Sequence, residues 1–308
     1  MPAMESQQKW ALAAGLALMA VWGVNFAITK AVLAELGVWP FLFIRFLAMP
    51  LAGFALLLAV TRRHFRRTWP QRADLPRFAA AGLIGHTAHV SLVMWGISLS
   101  TAFSSSLVLT TSPLFTLLIL ALLGAERLRA RQIAGTLLAC AGIALFLSDK
   151  FARGVASAGA GDLVLLFAAS LFSLYTVISK PLVVRYGPLN LMCYSLLFGA
   201  PPVVLATLPA FLAAPLGNVP GAAWFGVFWA VAVSSFLGWI AWAWINSVRG
   251  LARSAPLQYL MPPIAGLVAW LTLGEVFTPL KLAGAVAAMA GIAWAQLGAH
   301  AATPPDAG

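Results

Sequence analysis

Long apolar runs, separated by short polar loops, follow one another along almost the whole chain. A bilayer core about 30 Å thick is crossed by about 20 apolar residues in a helix, and backbone groups in lipid must be hydrogen-bonded within their own segment. The pattern therefore predicts an all-α integral membrane protein with ten transmembrane helices. The predicted spans are 10–30, 39–60, 78–98, 102–123, 131–148, 161–181, 189–212, 222–246, 252–273 and 280–298.

The composition leaves little material for a water-exposed surface. Only 9% of the 308 residues are charged, whereas a soluble domain carries about 25%. Most of the surface must then face lipid, and no separate soluble domain fits beside the predicted spans. The net charge of +11 does not indicate a nucleic-acid partner, because the basic residues are concentrated in particular loops.

Basic residues are concentrated in the loops after the second, fourth, sixth and eighth spans. Positively charged loops stay on the cytoplasmic side of a membrane. The pattern predicts a multi-pass protein of the bacterial inner membrane with both termini in the cytoplasm, and we expect a monomer without a cofactor. The arginines of these loops are Arg62, Arg63, Arg66, Arg67, Arg72, Arg77, Arg127, Arg129, Arg131, Arg185, Arg249 and Arg253.

Two segments of the chain are similar to each other. Residues 113–144 read PLFTLLILALLGAERLRARQIAGTLLACAGIA and align without gaps with residues 262–293, which read PPIAGLVAWLTLGEVFTPLKLAGAVAAMAGIA. Upstream, Trp95 falls on Trp244. The main paired residues are Pro113 and Pro262, Glu126 and Glu275, Gly135 and Gly284, and Gly142 and Gly291.

The repeat predicts two oppositely oriented halves around a central cavity, residues 10–148 and residues 161–298. Each half holds five predicted helices, an odd number, so the second half must be inverted. The charges agree, because the arginines that follow Glu126 are absent after Glu275. Inverted repeats are typical of secondary transporters, whose substrate site lies near the midplane between the halves.

The paired motifs resemble those of a known family. A proline in the fourth helix of each half, an Ala-Glu or Gly-Glu pair at the end of that helix and an AGI-type glycine in the fifth resemble the drug/metabolite transporter superfamily, and most closely its ten-helix EamA branch. The tryptophan-rich sequence is further similar to YddG-type bacterial exporters of aromatic amino acids. The resemblance implies export from the cytoplasm by alternating access.

Polar and aromatic residues at helical spacing are candidates for the substrate site. Trp22 and Asn25 share a face of the first span, and with a shift of one residue in the repeat Tyr175 is the partner of Asn25 in the sixth. Such a stripe can stack against and hydrogen-bond a substrate. The alternative is hydrogen bonding between helices, a common role of polar residues in membranes.

The third span contains His86 and His89, three residues apart. A pair that contacts substrate or titrates near physiological pH is one interpretation, and packing with satisfied hydrogen bonds is another. A metal site is disfavoured because no companion carboxylate or cysteine is apparent. The cysteines Cys140 and Cys193 lie within apolar runs and are interpreted as packing residues.

One face of the eighth span carries Trp239, Trp242 and Asn246. This arrangement suits a ligand with an apolar body and a polar head, and an aromatic belt at the lipid interface is the alternative. Ser112 in the fourth span and Gln258 in the ninth are further candidates for cavity-lining residues.

Matched prolines mark the fourth and ninth spans. Pro113 and Pro262 each remove one helical hydrogen bond at corresponding places of the two halves. We interpret them as hinges, with a static kink in each helix as the alternative.

The positions of the charged residues restrict the substrate. All eight acidic residues fall in loops or at span ends, so a cationic substrate has no countercharge within the membrane. The pattern favours a neutral or zwitterionic substrate. Lys30, Arg45 and Lys180 also lie towards span ends, which disfavours a carrier of phosphate esters.

These features together predict a secondary transporter that exports amino acids with aromatic or hydrophobic side chains, or similar small metabolites. A carrier of other metabolites or drugs and a facilitator with a narrow pore stay open as alternatives. A membrane-embedded enzyme is disfavoured, because the chain contains no HExxH motif and no serine nucleophile beside a glycine-rich turn.

Overall fold

The structure is a computed structural model that describes residues 2–62, 69–124, 129–152, 156–250 and 254–300. Within these residues all regular secondary structure is helical. Eight of the described helices are long and apolar enough to cross a membrane, and residues 279–295 form a shorter apolar helix. The prediction of an all-helical membrane protein is therefore confirmed.

The helices follow each other with few residues between them. A π-helical segment, Gly82–Val90, joins α3 to α4, and a second, Trp229–Leu237, joins α9 to α10. A 3-10 helix, Ala255–Leu260, precedes α11. The α-helices are α1 Pro2–Leu36, α2 Val38–Thr61, α3 Leu75–Ala81, α4 Ser91–Leu99, α5 Ala102–Leu109, α6 Ser112–Leu122, α7 Ala130–Ala152, α8 Ala156–Ala213, α9 Gly221–Phe228, α10 Gly238–Arg249, α11 Met261–Leu273 and α12 Pro279–His300.

The helix α8 contains a sharp turn at Gly187. Its 58 residues would extend about 87 Å as one straight helix, far more than a bilayer core of about 30 Å. At Gly187 the backbone has φ 80° and ψ 166°, a conformation that only glycine adopts readily. Gly37 has nearly the same conformation, φ 80° and ψ 164°, between α1 and α2.

The predicted spans 102–123 and 252–273 are not continuous α-helices. The first is interrupted between α5 and α6, and Pro113 occupies the first turn of α6. The second begins as the 3-10 helix, and Pro262 occupies the first turn of α11. A proline lacks the N–H that would continue the ladder of the preceding helix, so both helices restart at their prolines.

A main apolar core lies between the first helices and α8. Phe41, Leu42 and Phe46 of α2 are fully buried there together with Leu165 and Leu196 of α8. The π-helical segment Gly82–Val90 packs against the second arm of α8, where the Thr87 hydroxyl donates to the Gly199 carbonyl at 2.6 Å.

Helices α7 and α12 pack backbone to backbone through glycines. A Cβ added at Gly142 would lie 2.2 Å from the Ala288 nitrogen, and one at Gly135 would lie 2.7 Å from the Gly291 carbonyl oxygen. The two helices are antiparallel, because Gly142 of α7 meets Ala288 of α12, whereas the earlier Gly135 meets the later Gly291. Small residues permit such close helix contacts in membranes.

Several residues used in the sequence argument lie outside the described residues. They comprise the glutamate of the repeat in the first half and several loop arginines. The orientation of the chain in the membrane therefore stays a prediction. These residues are Arg63, Arg66, Arg67, Glu126, Arg127 and Arg253.

We expect Gly142→Val to destabilise the protein, because its new side chain would collide with backbone atoms of α12 that cannot rotate away. The expected cost is roughly 1–3 kcal/mol, measured as a lower melting temperature and a smaller monodisperse fraction in detergent. Gly217→Val is the matched control, because no atom lies within 4 Å of a Cβ built there. Equal stability of the two variants would show that the helix contact is looser than described.

Candidate functional site

A cavity of about 130 Å³ lies between helices of the two predicted halves. Small-molecule sites combine apolar walls with a few polar groups. The walls here follow that pattern. The lining residues are Trp22, Asn25, Phe26, Arg45, His89, Val90, Val93, Met94, Ile97, Leu109, Ser112, Phe172, Ser234, Ser235, Trp239, Gln258 and Met261.

The predicted site residues divide into two groups in the structure. Some line the cavity, and their role in binding stays a prediction: Trp22, Asn25, His89, Ser112, Trp239 and Gln258. The others are absent from the lining: His86, Tyr175, Trp242 and Asn246.

His86 and Tyr175 lie behind the cavity wall. His86 is buried, and its Nε2 is 3.0 Å from the Ser195 hydroxyl oxygen. Its ring is 5.0 Å from that of Trp239 and 5.7 Å from that of Tyr175. These contacts match the packing interpretation of His86, and they fix the orientation of Trp239 from behind.

His89 is held from one side by the backbone of α8. Its Nδ1 lies 2.8 Å from the Ala168 carbonyl oxygen, and since a carbonyl only accepts, Nδ1 carries the hydrogen. The neutral ring then keeps Nε2 as its acceptor. Its ring is also 5.1 Å from that of Phe172. Among the described residues, no group of three histidine, cysteine or acidic side chains forms a metal site.

Trp22 connects α1 to the second π-helical segment. The indole N–H donates to the Ser234 carbonyl at 2.9 Å, and the ring packs 5.6 Å from that of Trp242. Trp242 thus supports the cavity wall through Trp22. Near Trp22 on α1, the Asn25 Oδ1 is buried without a hydrogen-bond partner.

Two π-helical segments flank the cavity, and the sequence analysis did not anticipate them. Gly82–Val90 carries His89, and Trp229–Leu237 carries Ser234 and Ser235. π-helical turns are wider than α-turns and occur frequently at functional sites. Within the second segment, the Ser235 hydroxyl also donates to the carbonyl five residues earlier, that of Ala230, at 2.6 Å.

The break between α5 and α6 is closed by side chains. Pro113 has no N–H to bond the carbonyl of Leu109, and the Ser112 hydroxyl donates to that carbonyl at 2.6 Å instead. The Ser112 carbonyl in turn accepts from Ser173 of α8 at 2.5 Å. Ser112 therefore lines the cavity as part of a helix restart, and Gln258 lines it from the 3-10 helix before α11.

Arg45 lines the cavity although the sequence did not identify it as a site residue. It lies in the first third of α2, towards the end of the span as predicted, and its side chain is 5% exposed. The signal that identifies it is an arginine inside the apolar run FLFIRFLAMP, because an ionised residue within a membrane segment is costly without a role. Lys30 instead bonds the carbonyls of Ile97 and Ser98 at the end of α4.

The acidic residues of the described chain lie away from the cavity. Glu275 accepts from the backbone N–H groups of Ala102 and Phe103 at the start of α5, a favourable place for a carboxylate at a helix N-terminus. Asp74 pairs with Arg185 at 2.8 Å. No described acid contributes to the lining.

Comparison with known proteins identifies the family. The model of the EamA-like transporter family matches residues 9–148 and again residues 159–296. The chain belongs to the EamA-like transporter family. This EamA-family protein is a multi-pass membrane protein that transports a small molecule, and it is not an enzyme.

Relatives of this EamA-family chain are described as exporters. It is 32% identical over 248 residues to a protein of Streptantibioticus cattleyicolor described as a "probable terminal-alkyne amino-acid exporter", with 79% of this chain and 80% of the relative covered. It is 27% identical to a "probable amino-acid metabolite efflux pump" of Salmonella typhimurium, with 90% and 91% covered. A protein of the same description from Escherichia coli is 26% identical, again with 90% and 91% covered.

A solved crystal structure shares the fold. One of its chains matches with a TM-score of 0.63 at 19% identity, covering 94% of this chain and 98% of that chain. At this identity the likeness shows the fold alone.

We expect Trp22→Phe to lower stability, because the Ser234 carbonyl loses the indole N–H as its donor. The expected cost is about 1 kcal/mol, measured as a lower melting temperature in detergent. Trp10→Phe is the control, since Trp10 is 70% exposed. A melting temperature equal to that of the control would show that the indole hydrogen bond does not hold α1 to the π-helical segment.

Proposed function

We propose that the protein exports amino acids with aromatic or other apolar side chains from the bacterial cytoplasm. Transport proceeds by alternating access between two inverted five-helix halves. The observation that carries this proposal is the cavity between the halves, whose walls are aromatic and aliphatic and whose few polar groups include Asn25, Arg45 and Gln258. Such a surface suits a small molecule with a polar head and an apolar side chain.

Ten spans are supported by the turn in α8. The two arms on either side of Gly187 are each long enough to cross a membrane. Counting the arms separately and adding the shorter helix 279–295 brings the number of apolar spans to ten. The conformation of Gly187 also matches that of Gly37, its partner in the repeat with the shift of one residue.

The contacts between α7 and α12 support an inverted repeat. The repeat pairs Gly135 with Gly284 and Gly142 with Gly291. Gly135 touches Gly291, and Gly142 touches Gly284, so exchanging the two halves converts one contact into the other. A two-fold axis produces this reciprocal pattern. The two matches of the family model, one to each half, agree with it.

The substrate class is supported by the cavity and by the relatives. No described acid lines the cavity, so a purely cationic substrate would lack a countercharge. The related proteins are described as exporters of an amino acid or of amino-acid metabolites. One of them handles an amino acid with a terminal alkyne, an apolar side chain.

The direct test is flux by the purified protein in liposomes. Labelled phenylalanine, tryptophan, methionine and threonine are compared with empty liposomes, first without a gradient and then with an imposed pH gradient. We expect saturable flux that is faster for phenylalanine than for threonine. If none of these moves in demonstrably folded protein, the amino-acid assignment is wrong.

Asn25→Ala should weaken transport without loss of folded protein. Asn25 lines the cavity, and its buried Oδ1 has no hydrogen-bond partner among the described residues, so the substitution removes a polar group of the lining without breaking a hydrogen bond within the described protein. The expected rise in KM is roughly threefold to tenfold. Asn246→Ala is the matched control, since its Oδ1 is also unpaired but lies outside the lining. Equal effects of both substitutions would place the polar head of the substrate elsewhere.

Pro113→Ala should slow turnover more than it changes substrate affinity. The alanine N–H can bond the Leu109 carbonyl, which joins α5 to α6 and removes the break beside the cavity. The measurement is kcat and KM for phenylalanine flux. Pro202→Ala, on the exposed side of α8, serves as the control, and an unchanged kcat in Pro113→Ala would eliminate the hinge.

A further inference from the structure

Arg45 is a buried cation without a protein partner among the described residues. Its side chain is 5% exposed, and no hydrogen bond or ion pair joins it to another described residue. It lies on α2 between fully or almost fully buried aromatic and aliphatic residues, Leu42 and Phe46 among them. The guanidinium therefore has only the cavity from which to obtain acceptors.

Such an arrangement is costly unless something compensates it. An ionised group taken out of water loses much of its favourable solvation, and a guanidinium does not escape this cost by giving up its proton. Buried arginines recover the cost by pairing with an acid. No described acid lines the cavity, so the compensating anion has to come from outside the described part of the chain.

We propose that Arg45 binds the carboxylate of the transported molecule. This inference rests on the proposed function, in which the cavity is the substrate site. A guanidinium presents a planar fork of N–H donors that matches the two oxygens of a carboxylate, and such charge-assisted pairs are stronger than neutral hydrogen bonds.

The remaining lining residues provide for the other parts of an amino acid. Asn25 contributes a neutral amide to the lining, which is assigned to the ammonium group, and the aromatic faces of Trp22, Phe172 and Trp239 attract cations as well. Apolar residues accommodate the side chain, including Met94 and Ile97. A neutral acceptor binds an ammonium group less strongly than an acid would, so the site holds the ammonium less strongly than the carboxylate.

The arrangement predicts selectivity against amines that lack a carboxylate. An amine or amide that carries a single positive charge would sit beside Arg45 with no acid to balance either charge, and like charges repel strongly in a low-dielectric site. A carboxylate without an ammonium group would keep the main interaction. The carboxylate should therefore contribute more to affinity than the ammonium group.

The test compares three probes on purified protein in detergent. L-phenylalanine, L-phenylalaninamide and phenylacetate are titrated while quenching of tryptophan fluorescence is followed, since Trp22 and Trp239 line the cavity. We expect phenylalanine to bind roughly tenfold to a hundredfold more tightly than the amide. Arg45→Gln should abolish this preference and Arg45→Lys should weaken it. Arg77→Gln removes an exposed arginine in the first turn of α3 and should leave this preference intact.

The outcomes separate this inference from the proposed function. If phenylalanine and its amide bind equally to the natural protein, Arg45 is not a carboxylate site, while amino-acid export still stands. If phenylacetate binds through Arg45 but phenylalanine does not, the carboxylate site stands and amino-acid export is wrong. If no probe binds, both are overturned. Should Arg45→Gln fail to fold, Arg45→Lys and the probe series on the natural protein still decide the question.

Discussion

The structure depends on the requirement that backbone polar groups in lipid find partners within the protein. Regular helices meet this requirement by themselves, and most of the chain consists of them. At several interruptions among the described helices, a side chain supplies the missing hydrogen-bond partner. The Ser112 hydroxyl bonds the carbonyl that Pro113 leaves open, and Lys30 bonds two carbonyls at the end of α4. At the start of α5, Glu275 accepts from two N–H groups.

These interruptions gather around the cavity. Both π-helical segments, the restart at Ser112 and the 3-10 helix that carries Gln258 all contribute to its lining. Irregular backbone is tolerated at membrane depth where it is buried in protein or lines a cavity. The same departures from the α-helix therefore bring polar residues into the cavity lining, and transporters with broken helices have their substrate sites at such places.

Electrostatics gives the cavity its polarity. The described acids are held at helix ends and in loop pairs, whereas Arg45 alone among the cationic residues of the lining is permanently charged. In the function that we propose, the fixed positive charge and the aromatic walls distinguish the two ends of a zwitterion. The packing of Trp239 on His86, and of Trp22 on Trp242, keeps the aromatic walls in place around that charge.

The sequence by itself determined the membrane class, the family and the segments that become helices, because apolar length is a local property of the chain. The aligned glycines and prolines also predicted the two halves. Only the tertiary structure decided which polar residues line the cavity. Asn25 lines it, while Asn246, equally polar and on an equally plausible face, does not. The reason is physical: the π-helical segments rotate the residues that follow them, and neighbouring helices determine whether a residue such as Arg45 faces lipid, protein or the cavity.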